Sequence, residues 1–178
     1  MMTMQKENPV KKLSPVRFLT RTAILLALTL VFQQIRLIMP APASTWVICA
    51  LVNTGLMLAG GVAGLWSGLI IAVLAPLVAL LQGHAAAPMV PVIMVGNAVV
   101  AAAGAFAFTG RRQWLLAVAS VVKYAVIALG MALFVRKSLD AAALSAAFTA
   151  QLPQLAAFAG MAIALLVYPR LTKTLMKD

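Results

Sequence analysis

The chain has 178 residues, of which 64% are hydrophobic and 10% charged, and a soluble domain of this size cannot bury so much apolar surface. The formal net charge of +11 does not indicate a nucleic-acid partner, because the basic residues lie at the ends of apolar segments rather than along one polar face. The single cysteine, Cys49, and the single histidine, His84, exclude a disulfide framework and offer no cluster for a metal or cofactor.

A helix needs about 20 apolar residues to cross a hydrocarbon core of ~30 Å, and by this criterion six apolar segments are candidate spans. They run over 18–38, 46–60, 62–81, 89–108, 114–135 and 152–168. The second is short, and its junction with the third is poorly marked. The pattern predicts an all-α integral membrane protein, a bundle of about six transmembrane helices with both termini cytoplasmic. A basic segment, 1–17, precedes the transmembrane domain, 18–170, and a cytoplasmic tail, 171–178, follows it.

The basic residues are shared unequally between the two sides of this predicted bundle. Six crossings place only Arg36, Arg136 and Lys137 on one side, while Lys123 falls within a span. The richer side should be cytoplasmic, because positive charge accumulates there. It receives Lys6, Lys11, Lys12, Arg17, Arg21, Arg111, Arg112, Arg170, Lys173 and Lys177.

The start of the chain superficially resembles a secretory signal, since a basic segment and an apolar run lead to the small tripeptide Ala41-Pro42-Ala43. Polar residues, among them Gln34 and Arg36, separate the run from the tripeptide, and the rest of the chain is equally apolar. We therefore expect a first helix that is retained.

Small residues four apart mark close helix contacts in lipid, and two sets occur here. Ala23 and Ala27 lie in the first span, and a longer series consists of Gly60, Gly64, Gly68 and Ala72. Both sets suit packing within the bundle. The alanine pair also suits a docking face for another membrane protein.

Lys123 lies near the middle of the fifth span, where a charge costs about 3 kcal/mol on insertion scales. No carboxylate is well placed to pair with it, because Glu7 and Asp178 are terminal and Asp140 falls in an outward loop. Either a bound anion supplies the countercharge, or the ammonium bonds to backbone carbonyls or to Asn53 or Asn97 as a structural strut.

Other polar residues gather toward the outward half, where they either line a pocket or meet lipid headgroups and helix ends. Tyr124 adjoins the lysine and serves either packing or hydrogen bonding. The ligand-binding candidates are Gln33, Gln34, Arg36, Asn53, Gln82, His84, Asn97, Lys123, Tyr124, Gln151 and Gln154.

The stretch 138–150 is predicted to form a short interfacial helix, with Ser138 or Asp140 as its cap. No H-E-x-x-H, G-x-S-x-G or P-loop motif and no carboxylate pair occurs in the chain. We therefore expect a protein that is not an enzyme.

The order of several segments resembles the substrate-binding S component of energy-coupling-factor (ECF) transporters. The resemblance begins with residues 19–34, LTRTAILLALTLVFQQ, and ends with Gln154 through Tyr168-Pro169-Arg170. Between them come Leu51-Val52-Asn53, Gly64-Leu65-Trp66-Ser67, Gly96-Asn97 and Val122-Lys123-Tyr124.

This resemblance implies a six-helix protein of a prokaryotic cytoplasmic membrane that captures a vitamin, a vitamin precursor or a related micronutrient from outside with high affinity. It also implies three partners, a transmembrane coupling protein and two ABC-type ATPases that hydrolyse the ATP. The alanine motif that meets the coupling protein in that family corresponds here to Ala23 and Ala27. Individual ligand contacts do not carry over, because specificity varies between subfamilies.

Overall fold

A computed structural model describes residues 14–110, 112–137 and 139–175. The predictions for Lys6, Lys11, Lys12, Arg111, Ser138 and Lys177 lie outside the described residues. Seven α-helices form within the described part. They are α1 Pro15–Gln33, α2 Ala43–Ala63, α3 Leu65–Leu81, α4 Val90–Gly110, α5 Trp114–Gly130, α6 Ala141–Ala150 and α7 Ala157–Leu175.

Short turns of 3₁₀ or π-helix extend four of these helices. A 3₁₀ turn follows α1, others precede α4 and α7, and a π-helical turn continues α5. Five of the resulting helical segments are long and apolar enough to cross a membrane by length and composition. They are Pro15–Leu37, Ala43–Ala63, Ala87–Gly110, Trp114–Arg136 and Leu152–Thr174. The apolar α3 is shorter, at 17 residues. The chain is thus an all-α membrane protein of the multi-pass type.

The break between the second and third predicted spans lies at Gly64. Its φ of +97° is unfavourable for any residue with a Cβ, so the glycine allows α2 to end and α3 to begin after a single residue. The chain reverses there, since a Cβ added at Gly68 would lie 3.3 Å from the Cα of Gly60. The sequence indicated the break about three residues too early because this part of the chain is uniformly apolar.

Helix α2 is the centre of the bundle and packs against α1, α3, α4 and α7. Of the apolar 18-residue stretch of α2, 61% is buried, whereas only 17% is buried in the corresponding stretch of the segment Pro15–Leu37, which contains α1. Glycines bring the neighbouring backbones onto it: a Cβ at Gly104 of α4 would overlap the backbone of Met57, and one at Gly160 of α7 would overlap the carbonyl of Ala50.

The two predicted sets of small residues lie in different surroundings. Gly60, Gly68 and Ala72 are buried between helices, as packing within the bundle requires. Ala23 and Ala27 are instead exposed on the outer face of α1. The interpretation as internal packing is therefore wrong for the alanine pair.

One end of the bundle, called the basic end below, carries more of the described basic residues than the other. Arg21 at the start of α1 donates from Nη1 to the carbonyl of Val62 at the end of α2, over 3.4 Å. Phe108 of α4 stacks on Tyr168 of α7 with 3.9 Å between ring centroids, beside the same end of α2. The described basic residues at this end are Arg17, Arg21, Arg112, Arg170 and Lys173.

Helix α6 is the predicted short helix after α5. The carboxylate of Asp140 caps it, since Oδ1 accepts from the backbone N–H of Ala143 over 2.6 Å. The Tyr124 hydroxyl of α5 donates to the carbonyl of Phe148 over 2.9 Å, and the two rings meet edge to face. Of the two predicted caps, Asp140 is thus confirmed.

The close approach of α4 to α2 predicts a large effect of one added methyl group. Gly104→Ala should lower the free energy of unfolding by about 1–3 kcal/mol, because the new Cβ overlaps the Met57 backbone, which cannot move aside. Thermal unfolding in detergent measures the effect. The matched control is Gly110→Ala in the same helix, where the Cβ would meet only the Arg112 side chain at 3.8 Å. Equal melting of both variants would contradict this packing.

Candidate functional site

A cavity of about 590 Å³ opens at the end of the bundle opposite the basic end. Its wall combines the end of α1, the connection to α2, the first half of α2, the end of α3, and inward parts of α4 and α5. The volume falls within the about 300–1,000 Å³ of small-molecule sites. Apolar side chains such as Ile48, Val52, Ile93 and Ile127 form most of the surface, and a few polar groups interrupt it.

Lys123 of α5 contributes the deepest charge. Its side chain is 3% exposed, and Nζ donates to Oδ1 of Asn53 on α2 and to Oδ1 of Asn97 on α4, each over 2.7 Å. These three residues form the lysine–amide cluster. Both amides bind the ammonium as the strut interpretation predicts, and all three residues also line the cavity.

Neighbouring groups hold the lysine–amide cluster in place. The Nδ2 group of Asn53 donates to the carbonyl of Cys49 over 2.6 Å, which turns Oδ1 toward the lysine. Gly96 leaves room for the lysine stem, because a Cβ there would lie 3.0 Å from Cγ of Lys123. Three helices therefore meet at one ammonium group.

The described part of the cavity wall supplies no countercharge for Lys123, since none of the described lining residues is an aspartate or a glutamate. Arg36 adds a second cation there. Two amide oxygens stabilise the ammonium, and an ammonium has three N–H donors, of which the two amides use two. The electrostatics of the cavity thus favour an acceptor or an anion.

The end of α1 supplies two further polar groups. Gln33 is 6% exposed, and its Nε2 donates to the carbonyl of Ala75 in α3 over 3.3 Å. Arg36 donates from Nε to the carbonyl of Gln33 over 3.0 Å, within the 3₁₀ turn Gln34–Leu37. This bond holds the guanidinium group beside the cavity.

The structure brings seven of the eleven candidates together at the cavity. These are Gln33, Arg36, Asn53, His84, Asn97, Lys123 and Gln154. The other four fasten elements around it. Gln34 donates to Gln82 over 3.2 Å, Gln151 donates to Sδ of Met131 over 3.0 Å, and Tyr124 holds α6.

The connection between α1 and α2 and the first turns of α2 contain lining residues that the sequence analysis missed. Ser44, Thr45 and Cys49 face the cavity together with Met39, Pro40 and Ala41. Their short side chains carry no charge and gave no signal in the composition. The unusually short second predicted span was the available hint, because α2 begins at Ala43 rather than at 46 and includes Ser44 and Thr45.

The arrangement suits binding through hydrogen bonds and charge. No group of three or more potential metal ligands occurs within the described part of the chain. Comparison with known proteins gives no matching family model, no matching curated protein and no matching solved structure.

Coupling within the lysine–amide cluster is testable by a double-mutant cycle. Asn97→Leu should lower the free energy of unfolding by about 1.5–3 kcal/mol, because it removes a hydrogen bond to a buried charge. The same substitution in a Lys123→Met background should cost clearly less, since the charge is then gone. Unfolding in detergent gives both values. Strictly additive losses would show that the amide does not serve the ammonium.

Proposed function

We propose that this protein captures a small micronutrient, such as a vitamin or vitamin precursor, with high affinity for ATP-driven uptake by an ECF-type transporter complex. The cavity with its buried lysine–amide cluster carries this proposal. A protein that only needed a packed bundle would gain nothing from a cavity of this volume with a buried cation in its wall, because buried charge is costly.

The proposed topology has six crossings with both termini in the cytoplasm, and α3 is the shortest crossing. At 1.5 Å per residue its 17 residues extend about 26 Å, slightly less than the ~30 Å core. The basic end then lies on the cytoplasmic side by the positive-inside rule. The cavity, at the other end, opens to the outside, which suits capture of a scarce external nutrient.

The proposed partners are a transmembrane coupling protein and two ABC-type ATPases, which hydrolyse the ATP. The outer face of α1 supports this assignment, because Ala23 and Ala27 are exposed there and α1 is the least buried of the long segments. Exposed alanines let another helix approach closely. The resemblance to S components assigns the same two positions to coupling.

A second candidate function is that of a structural or regulatory membrane protein without a transported ligand. The two amide bonds to Lys123 favour it, because they connect α2, α4 and α5 without any guest. Retention of a small molecule distinguishes the two functions.

Native mass spectrometry of gently purified protein tests the capture function. We expect one retained small molecule in the wild type and its loss in Lys123→Met, because that variant removes the charge at the cavity floor. The control is Arg136→Met, which removes an exposed cation at the same end of the bundle. A folded wild type that never retains a small molecule would favour the structural function.

Copurification with a coupling protein and its ATPases tests the docking face. Ala23→Trp/Ala27→Trp should abolish the association, because two indoles prevent close approach to α1. Ala159→Trp/Ala162→Trp places the same bulk on exposed positions of α7 and should leave the complex intact. Equal losses in both pairs would contradict a specific role of the alanines.

A further inference from the structure

One residue of the cavity wall carries a buried acceptor that has no partner among the described residues. The Oε1 atom of Gln33 accepts no hydrogen bond from any described residue, although the side chain is 94% buried. Such an atom is costly to leave unpaired, so a group outside the protein is expected to bond to it. Gln33 lines the same cavity as Lys123.

The orientation of this amide follows from its surroundings. Nε2 lies 3.3 Å from the carbonyl oxygen of Ala75 and donates to it. Exchanging the two amide atoms would bring two acceptors together and leave the NH₂ group unpaired. The free atom is therefore an oxygen, which accepts an N–H or O–H group.

The other polar feature of the cavity demands the opposite chemistry. Lys123 offers a third N–H donor and a positive charge, and no carboxylate is among the described residues that line the wall. A carboxylate or phosphate supplies both the acceptor and the missing charge. A cationic guest would add to the repulsion between Lys123 and Arg36.

We propose that the cavity selects a small molecule with two unlike polar ends, an acidic group that meets Lys123 and an N–H or O–H donor that meets Oε1 of Gln33. An apolar body between them packs against Ile48, Val52, Ile93 and Ile127, which line the cavity. This inference rests on the proposed function, because it assigns the chemistry of the captured guest.

A defined mixture of probes tests this selection by native mass spectrometry. It contains small carboxylates and phosphate esters that carry a free N–H or O–H group, the N- or O-methylated analogue of each, and the matching amines and neutral amides. Indole-3-acetate, 1-methylindole-3-acetate and tryptamine form one such set. We expect wild-type protein to retain donor-bearing acids, and Lys123→Met to lose them at least tenfold.

The decisive variant is Gln33→Leu, which should reduce the preference for a donor-bearing acid over its methylated analogue by about tenfold. The matched control is Gln34→Leu. Gln34 is adjacent and of the same type, but it bonds to Gln82 and does not line the cavity, so the preference should persist. If Gln33→Leu has a much lower melting temperature than the wild type, Gln33→Met is used in its place, because methionine keeps the length of the side chain.

Each other outcome overturns a distinct statement. Retention of amines or neutral molecules in place of acids overturns the role of Lys123. Retention of acids with an unchanged donor preference in Gln33→Leu shows that water satisfies Oε1, and overturns the role of Gln33. Cooperative melting of a wild-type protein that retains no probe and no endogenous molecule overturns the proposed function itself.

Discussion

The ammonium group of Lys123 is the constraint on which the inner half of this bundle depends. A cation within an apolar span is costly unless it is solvated by protein groups or by water. Here Asn53 and Asn97 solvate it from two other helices, and each bond is 2.7 Å long. The relative positions of α2, α4 and α5 are thus specified at one atom, and the floor of the cavity is specified with them.

The bundle is closely packed on one side of the Lys123 ammonium and encloses a cavity on the other side. Toward the basic end, Leu56 and Met57 are fully buried, and Gly60 and Gly104 let the backbones of α2 and α4 touch. Toward the other end, the connection from α1 to α2 and the end of α3 stand apart and enclose the cavity. Small residues thus allow close packing in one half, and the other half encloses a mostly apolar cavity with a few polar groups in its wall.

Features with a strong chemical signal were predictable from the sequence. The cost of a mid-span charge identified Lys123 and suggested Asn53 and Asn97 as its partners, and the apolar segments gave the helical membrane fold. The turn at Gly64 was predicted about three residues too early because its flanks are equally apolar, and the positive φ of Gly64 is a property of the backbone. Ser44 and Thr45 were missed because their side chains are short and uncharged. Their place at the cavity follows from the start of α2 at Ala43, which the sequence did not predict.

The treatment of other buried polar groups gives Gln33 its significance. The hydroxyls of Thr22, Thr29, Thr54 and Ser120 all donate to the carbonyl four residues earlier in their own helices. Such bonds satisfy a polar group locally and require no guest. Oε1 of Gln33 departs from this pattern, since it is buried and accepts no hydrogen bond from a described residue, and Gln33 is one of the residues that line the cavity. A chain under selection only for packing would close this atom onto a neighbour as it closes the hydroxyls, and this difference is the reason why we assign the unpaired acceptor to the proposed guest.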